Sequence, residues 1–157
     1  MEKCKNVGLT VNFTDQSTLN ITAWSWTFGD GGTSTAQNPS HVYTTPGTYD
    51  VVLQVTSAGG TDTETKTSYI TVDEPPPTAD FVADVTSGAA SLTVNFSDLS
   101  TGNITVWAWD FGDGNLSSDE NPTHVYNTPG TYNVVLTVTS AGGSDSETKN
   151  GYITVTS

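Results

Sequence analysis

The sequence predicts an all-β protein built from two β-sandwich domains in tandem. The first observation is a long internal repeat, in which the segment 24–31 returns as 107–114 at an offset of 83 residues. This offset holds without a gap from the pair Leu9/Leu92 to the pair Val72/Val155, and about 70% of the paired positions are identical. The second observation is that apolar residues recur with a period of two, and no stretch has helical periodicity. Short strands separated by turns about every 8–12 residues are typical of a sandwich.

Three runs of the first copy are predicted to be half-buried strands. Leu9–Phe13, Trp24–Phe28 and Tyr49–Val55 alternate apolar with polar residues, as expected when one face of a strand lies in the core. Gly29–Gly31 forces a turn after the second run, and Ser57–Gly60 forms a hairpin turn after the third. The second copy is predicted to repeat this order.

The last strand of each copy requires a change of phase. The polar residues at even positions, Asp62, Glu64 and Lys66, are expected on the solvent-exposed face of the strand. Ile70 and Val72 are also at even positions, but they are apolar and must lie on the buried face. One irregularity in the strand exchanges the two faces. We therefore predict a β-bulge near 67–68, and in the second copy near 150–151.

Two aromatic positions indicate an immunoglobulin-like sandwich. Trp26 and Trp109 end central strands, where a tryptophan packs between the two sheets of such a fold. Tyr49 lies where a tyrosine corner would form, two residues before Val51. Antibody domains carry their second disulfide cysteine at the position of Val51, so apolar packing around tryptophan is expected to replace the disulfide.

The copies are separated by consecutive prolines and differ at their starts. We predict a first repeat over 1–73, a proline-rich linker over 74–77 in extended polyproline II conformation, and a second repeat over 78–157. The second copy opens with a first strand, Ala79–Ala83, for which the first copy has no equivalent. This exposes an interaction edge at Leu9, Val11 and Phe13. The alternatives are a fragment boundary and a strand donated by another subunit.

Composition excludes several classes of partner and site. Seventeen acidic against four basic residues give a formal net charge of −13, which repels nucleic acid and anionic lipid. No stretch approaches the ~18 apolar residues that membrane insertion requires. The single cysteine, Cys4, excludes an intrachain disulfide and a thiolate metal site.

The sequence lacks the parts of a catalytic site. His41 and His124 occupy the same place in each copy, which indicates a packed, hydrogen-bonded side chain. With one histidine per copy and no matching serine or cysteine nucleophile, no triad can be assembled. Nothing marks a cleft for paired carboxylates. We therefore predict that the chain is not an enzyme and needs no cofactor.

Three ordered motifs, each present twice, carry a family resemblance. They are Trp-x-Phe-Gly-Asp-Gly at 26–31, Asn-Pro-x-His-x-Tyr at 38–43 and Pro-Gly-x-Tyr-x-Val-x-Leu-x-Val at 46–55. Their second occurrences are at 109–114, 121–126 and 129–138. Together they resemble the polycystic-kidney-disease (PKD) repeat over nearly the whole chain. The resemblance implies a seven-stranded immunoglobulin-like sandwich of extracellular proteins, including archaeal surface-layer proteins, secreted hydrolases and animal membrane receptors.

The resemblance and the residues together define candidate sites. Some repeats of this family bind Ca²⁺, so Asp110 and Asp113 are candidate calcium ligands; otherwise their carboxylates bond turn amides. Trp24 and Trp107 are either core residues or platforms that stack on sugars. Glycosylation candidates, each followed by the Asn-x-Ser/Thr pattern, are Asn12, Asn20, Asn95, Asn103 and Asn115.

These features predict a non-catalytic extracellular or cell-surface module. The leading hypothesis is a structural and adhesive spacer of a larger cell-surface or surface-layer protein, which contacts other protein domains or associates with itself. The first alternative is an accessory polysaccharide-binding module of a secreted hydrolase. The second is a filament or oligomer subunit joined by strand donation at the open edge of the first repeat.

Overall fold

The computed structural model describes residues 3–4 and 8–157. The chain divides into two compact units, Met1–Glu74 and Pro75–Ser157, called units 1 and 2 below. Every regular element within the described ranges is a strand. Among these residues there is accordingly no helix that could span a membrane. The predicted all-β, immunoglobulin-like class is confirmed.

Unit 1 is a pair of sheets packed face to face. Its strands are β1 (Lys3–Cys4), β2 (Leu9–Asn12), β3 (Ile21–Thr27), β4 (Thr33–Ser34), β5 (Ser40–Tyr43), β6 (Gly47–Ser57) and β7 (Gly60–Val72). One sheet has the order β1-β7-β6-β3-β4, and the other is the pair β2-β5. All pairings are antiparallel except that of β1 with β7.

Unit 2 repeats this topology and adds a strand. Its strands are β8 (Phe81–Ala83), β9 (Ser87–Ala89), β10 (Leu92–Asp98), β11 (Val106–Asp110), β12 (Leu116–Ser117), β13 (Thr123–Tyr126), β14 (Gly130–Ser140) and β15 (Gly143–Thr156). The sheets have the orders β12-β11-β14-β15-β9 and β13-β10-β8. The short parallel strand β9 is the counterpart of β1, and β8 has no counterpart among the described residues of unit 1.

Aromatic side chains fill the space between the sheets, because the period-two pattern turns them to one side of each strand. In unit 2, Trp109 and Phe111 are almost completely buried, and in unit 1 the same is true of Trp26 and Phe28. The Tyr49 hydroxyl donates to the Thr45 carbonyl oxygen at 2.7 Å, which is the predicted tyrosine corner. Stacked aromatic side chains thus hold each sandwich together.

The β-bulge of the last strand lies where the sequence predicts it, near residues 67–68. In β7, Lys66 pairs with Val51 and Ile70 with Tyr49, so three residues oppose the single residue Asp50. The Asp50 carboxylate accepts a hydrogen bond from the Ser68 backbone N–H at 2.6 Å. The β14–β15 pair shifts register at the same place, with the Asn133 side chain bonding the Gly151 N–H at 2.7 Å.

We expect Ser68→Gly to stabilise unit 1 by about 0.5–1 kcal/mol. Ser68 has a φ of 49° in this bulge, and its counterpart Gly151 has a φ of 58°. A side chain in this left-handed region costs roughly 1–2 kcal/mol, of which the larger backbone entropy of unfolded glycine cancels a part. Urea unfolding measures the change, and the reciprocal Gly151→Ser variant should destabilise unit 2. An unchanged midpoint for both variants would contradict the prediction.

The first strand of unit 2 marks where unit 1 differs. Strand β8 pairs with residues 96–98 of β10, whose counterparts in unit 1 are residues 13–15. No strand among residues 8–157 pairs with 13–15 on that side. Of the predicted edge, Leu9 and Val11 lie in β2, which pairs with β5 on one side and with no described strand on the other, and Phe13 lies in the segment 13–15.

The prolines predicted as a linker are part of unit 2. Pro77 is buried, and a Cβ atom added to Gly102 would lie 3.1 Å from its Cα atom. The neighbouring Thr78 and Thr101 form an isolated antiparallel bridge. Pro77 of the predicted spacer is therefore packed into the second sandwich, whereas Pro76 is exposed and lies near Gly143, whose added Cβ atom would be 3.5 Å from the Pro76 Cβ atom.

Candidate functional site

An aspartate–histidine pair closes the Gly-Asp-Gly turn of each unit. Asp30 accepts from the Gly32 N–H through Oδ1 at 2.9 Å, and its Oδ2 lies 2.7 Å from His41 Nε2. The His41 ring stacks on Phe28 with 4.2 Å between ring centroids. Unit 2 repeats the arrangement with Asp113 and His124 at 2.8 Å. Both histidines are therefore packed and hydrogen-bonded, as their repetition indicates.

Electrostatics keeps the aspartate of this pair ionised. Burial disfavours the charged form of Asp30, but the hydrogen bonds from His41 and the Gly32 amide outweigh it and lower the pKa of the carboxyl. The same balance of burial and the His124 bond lowers the pKa of Asp113. Each pair ties the turn after a central strand to the strand across the sandwich, β5 or β13. Its polar atoms stabilise the turn.

A second polar cluster was not predicted from the sequence. The Asp15 carboxylate accepts from the Trp24 indole N–H at 2.7 Å, from the Ser17 backbone at 2.8 Å and from Gln37 at 3.3 Å. In unit 2, Asp98 binds the Trp107 indole N–H at the same distance of 2.7 Å. The available signal was an aspartate nine residues before the tryptophan in both copies.

These bonds locate the two tryptophans considered for sugar stacking. Trp24 and Trp107 are half-buried, lie on the same side of their strands as Trp26 and Trp109, and pack against the cores. Each has its indole N–H occupied by an aspartate. Stacking on a sugar remains a prediction, limited to the exposed part of each ring.

We expect unit 1 to lose stability between about pH 4 and pH 2. Burial opposes ionisation of Asp15, but hydrogen bonds from Ser17, Trp24 and Gln37 prevail and lower its pKa to about 2. An unfolded aspartate titrates near pH ~3.9, so this stabilisation is complete above that value and is lost as pH falls through the folded pKa. Urea unfolding at a series of pH values measures the loss. In Asp15→Asn the slope in this window should decrease, and an unchanged slope would refute the assignment.

The two predicted calcium ligands are engaged by the backbone of their own turn. Asp110 Oδ1 accepts from the Gly112 N–H at 2.8 Å. Asp113 uses one oxygen for the Asn115 N–H at 3.1 Å and the other for His124. Residues 8–157 contain no group of three or more acidic, histidine or cysteine side chains that could hold a metal ion. Because Ca²⁺ takes about 6–8 oxygen ligands, this pair does not form a ready site, and calcium binding remains only a prediction.

The five sequon asparagines all lie at the surface. Asn12, Asn20, Asn103 and Asn115 are exposed, as is Asn95. The Asn95 amide nitrogen already donates to Asp84 at 2.7 Å, while its oxygen accepts from Thr123. A glycan at Asn95 would have to replace the bond to Asp84, so the other four positions are the more accessible acceptors.

A groove adjoins the predicted interaction edge. Leu9 and Val11 are half-buried against the core of unit 1, and Phe13 is 7% exposed. A groove of about 640 Å³ is lined by Val11, Phe13 and Trp26, and by Lys66 and Tyr69 of β7. The edge and this groove form one continuous surface.

Comparison with known proteins agrees with this architecture. A family model described as "PKD domain" matches residues 1–72 and 73–155. The pre-pro-metalloprotease PrtV of Vibrio cholerae is 40% identical over 88 residues, which are 56% of this chain and 9% of that protein. Collagenase ColA of Bacillus cereus is 40% identical over 65 residues, 39% of this chain and 7% of that protein. The chain thus spans less than a tenth of these bacterial relatives.

Two solved structures are similar to this chain. The PKD1 domain of the Vibrio cholerae metalloprotease PrtV is 36% identical, with a TM-score of 0.45, and the match covers 52% of this chain and 99% of that one. The amphioxus IgVJ-C2 molecule is 13% identical with a TM-score of 0.61, covering 96% of this chain and all of that one, and it supports an immunoglobulin-like fold only. With the family model matched over nearly the whole chain, the protein belongs to the PKD domain family and contains two such domains in tandem.

Proposed function

We propose that this chain is a non-catalytic extracellular module, which acts as a spacer within a larger protein and contacts other proteins through its sheet surfaces. The observation that carries the proposal is that the polar side chains repeated in both units make structural hydrogen bonds within their own unit. The Asp–His pairs hold turns, and Asp15 and Asp98 hold tryptophans. Groups committed in this way stabilise a fold and are not free to act on a substrate.

The relatives support an accessory role. The matching segments make up 9% of a metalloprotease and 7% of a collagenase, so this kind of domain occupies a small part of much longer proteins. These relatives are a metalloprotease and a collagenase by name, which supports the choice of proteins over polysaccharides as partners in this proposal. The net charge of −13 further favours a module whose surface stays exposed to solvent and is not buried inside a larger assembly.

Sedimentation with insoluble polymers tests the proposal. The purified chain is mixed with fibrillar collagen, chitin or cellulose, and the protein left in solution is measured. We expect saturable depletion by collagen and none by the two polysaccharides. Trp24→Phe and Trp107→Phe should leave the depletion unchanged, with circular dichroism as the control for folding. Depletion by a polysaccharide that these two variants abolish would instead assign the chain a sugar-binding function.

A further inference from the structure

The outer face of the larger sheet in unit 2 carries large apolar side chains that the sandwich leaves exposed. Val106 on β11 is 52% exposed, and Leu116 on β12 is 73% exposed. Successive residues of a strand point to opposite faces, and Trp109 of β11 lies in the core. Val106, Ala108 and Asp110 therefore share the outer face of this strand. Neighbouring exposed apolar side chains, unlike scattered ones, are typical of interaction sites.

These side chains belong to a groove that contains one carboxylate. Asp110 is paired with Leu116 of β12 on one side and with Val135 of β14 on the other. Side chains directly opposite in antiparallel strands have Cβ atoms about 4.5–5.5 Å apart. The lining of a groove of about 630 Å³ includes Ala108, Asp110, Leu116, Val135 and Thr137. The Asp110 carboxylate thus has an apolar side chain on each side within this groove.

The negative charge of Asp110 has no cationic partner in the described part of the chain. Its Oδ1 atom accepts a hydrogen bond from the Gly112 N–H at 2.8 Å, which orients the side chain in the turn. None of the ion pairs formed among residues 8–157 includes Asp110, and the residue is exposed. The groove therefore offers an oriented carboxylate to a cation that comes from outside.

Unit 1 has the same sheet without this surface. Four outer-face residues of β11 and β12, namely Val106, Ala108, Asp110 and Leu116, differ in kind from their counterparts, which are Ala23, Ser25, Thr27 and Thr33. Three of the differences increase the apolar character of the face in unit 2, and the fourth adds the charge. The buried tryptophans between these positions are the same in both units. Because unit 1 forms the same arrangement of β6, β3 and β4 without the four residues, the fold does not require them.

We propose that this surface of unit 2 binds a partner protein through a basic side chain, lysine or arginine, that lies between apolar residues of the partner. The ammonium or guanidinium group pairs with Asp110, and its alkyl stem lies against Leu116 and Val135. A neighbouring apolar residue of the partner contacts Val106. This inference rests on the proposed contacts with other proteins, and it names the surface and the chemistry that make them.

The charge of the chain indicates which occupant fits. A second copy would bring a further net charge of −13 against this one. Two of its four basic residues already lie beside acids of their own unit, Lys66 at 3.8 Å from Glu64 and Lys149 at 3.1 Å from Asp80. A neutral polysaccharide carries no cation for Asp110. A basic polypeptide supplies that cation and is attracted by the acidic chain as a whole.

Peptides that differ only in one side chain test the proposal with the whole chain. The probe is Thr-Val-Thr-Arg-Thr-Val-Thr with blocked ends, in which valine, arginine and valine share one face when the peptide is extended. Titration followed by NMR should show saturable shifts of the amides at 106–110, 116–117 and 135–137. A lysine peptide should bind similarly, and a glutamine peptide about three- to fivefold more weakly. Absence of saturable binding, or equal binding of the arginine and glutamine peptides, would overturn the proposal.

Exchange of the four residues between the units provides matched variants. The first variant gives unit 2 the surface of unit 1 and should lose the arginine peptide; its changes are Val106→Ala, Ala108→Ser, Asp110→Thr and Leu116→Thr. The reciprocal variant should bind two peptides per chain; its changes are Ala23→Val, Ser25→Ala, Thr27→Asp and Thr33→Leu. Each new residue already occurs at that position in the other unit, and circular dichroism is the control for folding. Unchanged binding by both variants would contradict the assignment to this surface.

Sedimentation with collagen separates this proposal from the function on which it rests. If the parent chain binds collagen and the first exchange variant does not, both proposals are supported. Equal binding by the two would leave the contact with proteins standing and reject this surface. Failure of the parent chain to bind collagen counts against the proposed function alone, and the peptide titration then decides on the surface. Light scattering should show a monomer, and a dimer that the first exchange variant abolishes would instead identify a second copy as the occupant.

Discussion

Phe81→Ala is expected to destabilise unit 2 by about 3–5 kcal/mol, the range for removing a buried phenylalanine ring. Phe81 is 1% exposed and contacts Phe96, Trp109 and Tyr152, with ring centroids 5.2 to 6.4 Å apart. Because β8 is only three residues long, its attachment depends largely on this side chain. Urea unfolding followed by tryptophan fluorescence measures the effect.

The control for this variant lies on the same strand. Val82 is 43% exposed, so Val82→Ala removes a side chain of β8 without opening the core and should cost under about 0.5 kcal/mol. The unfolding of unit 1 should be unaffected by either change, because each unit has its own core. Equal losses for Phe81→Ala and Val82→Ala would show that Phe81 is not the anchor of the strand.

Gly112→Ala is expected to cost about 3 kcal/mol or more. Gly112 has a φ of 79°, and an added Cβ would overlap the Asn133 backbone carbonyl oxygen on the neighbouring strand. A side chain in this conformation costs roughly 1–2 kcal/mol, and an overpacked contact adds about 1–3 kcal/mol. Gly29 in unit 1 has the same geometry, with a φ of 85° and the Asp50 oxygen 2.6 Å from the Cβ position.

Gly114→Ala separates the two contributions. Gly114 lies in the same turn with a φ of 93°, but an added Cβ would meet nothing within 4 Å. Its substitution should therefore cost only the conformational part, about 1–2 kcal/mol. Thermal unfolding of the two variants and the parent chain gives both values. A loss for Gly114→Ala as large as that for Gly112→Ala would mean that contact with Asn133 has no effect.

The local pattern of the sequence accounts for most of the fold. The alternation of apolar and polar residues predicts the strands, and the even numbering of Ile70 and Val72 predicts the bulge. The doubled Trp-x-Phe-Gly-Asp-Gly motif indicated both the buried tryptophans and the tight turns. These features depend on neighbours along the chain, and this is why a periodic pattern identifies them.

Contacts between distant segments were harder to predict. The bond from Trp24 to Asp15 and the docking of Pro77 beside Gly102 both join residues that local periodicity does not relate. In unit 2 only residues 96–98 of β10 pair with β8, and the alternation of the sequence does not indicate which half of that strand does so. Register across a sheet is a property of the assembled sandwich.

The parallel pairing of β9 with β15 affects how unit 2 responds to tension. Residues 87–89 run alongside residues 154–156 in the same direction, near the beginning and the end of the unit. A pull applied to the chain on both sides slides these strands past one another, so their hydrogen bonds are loaded together and do not open one at a time. A domain connected in this way transmits mechanical load through several hydrogen bonds in parallel.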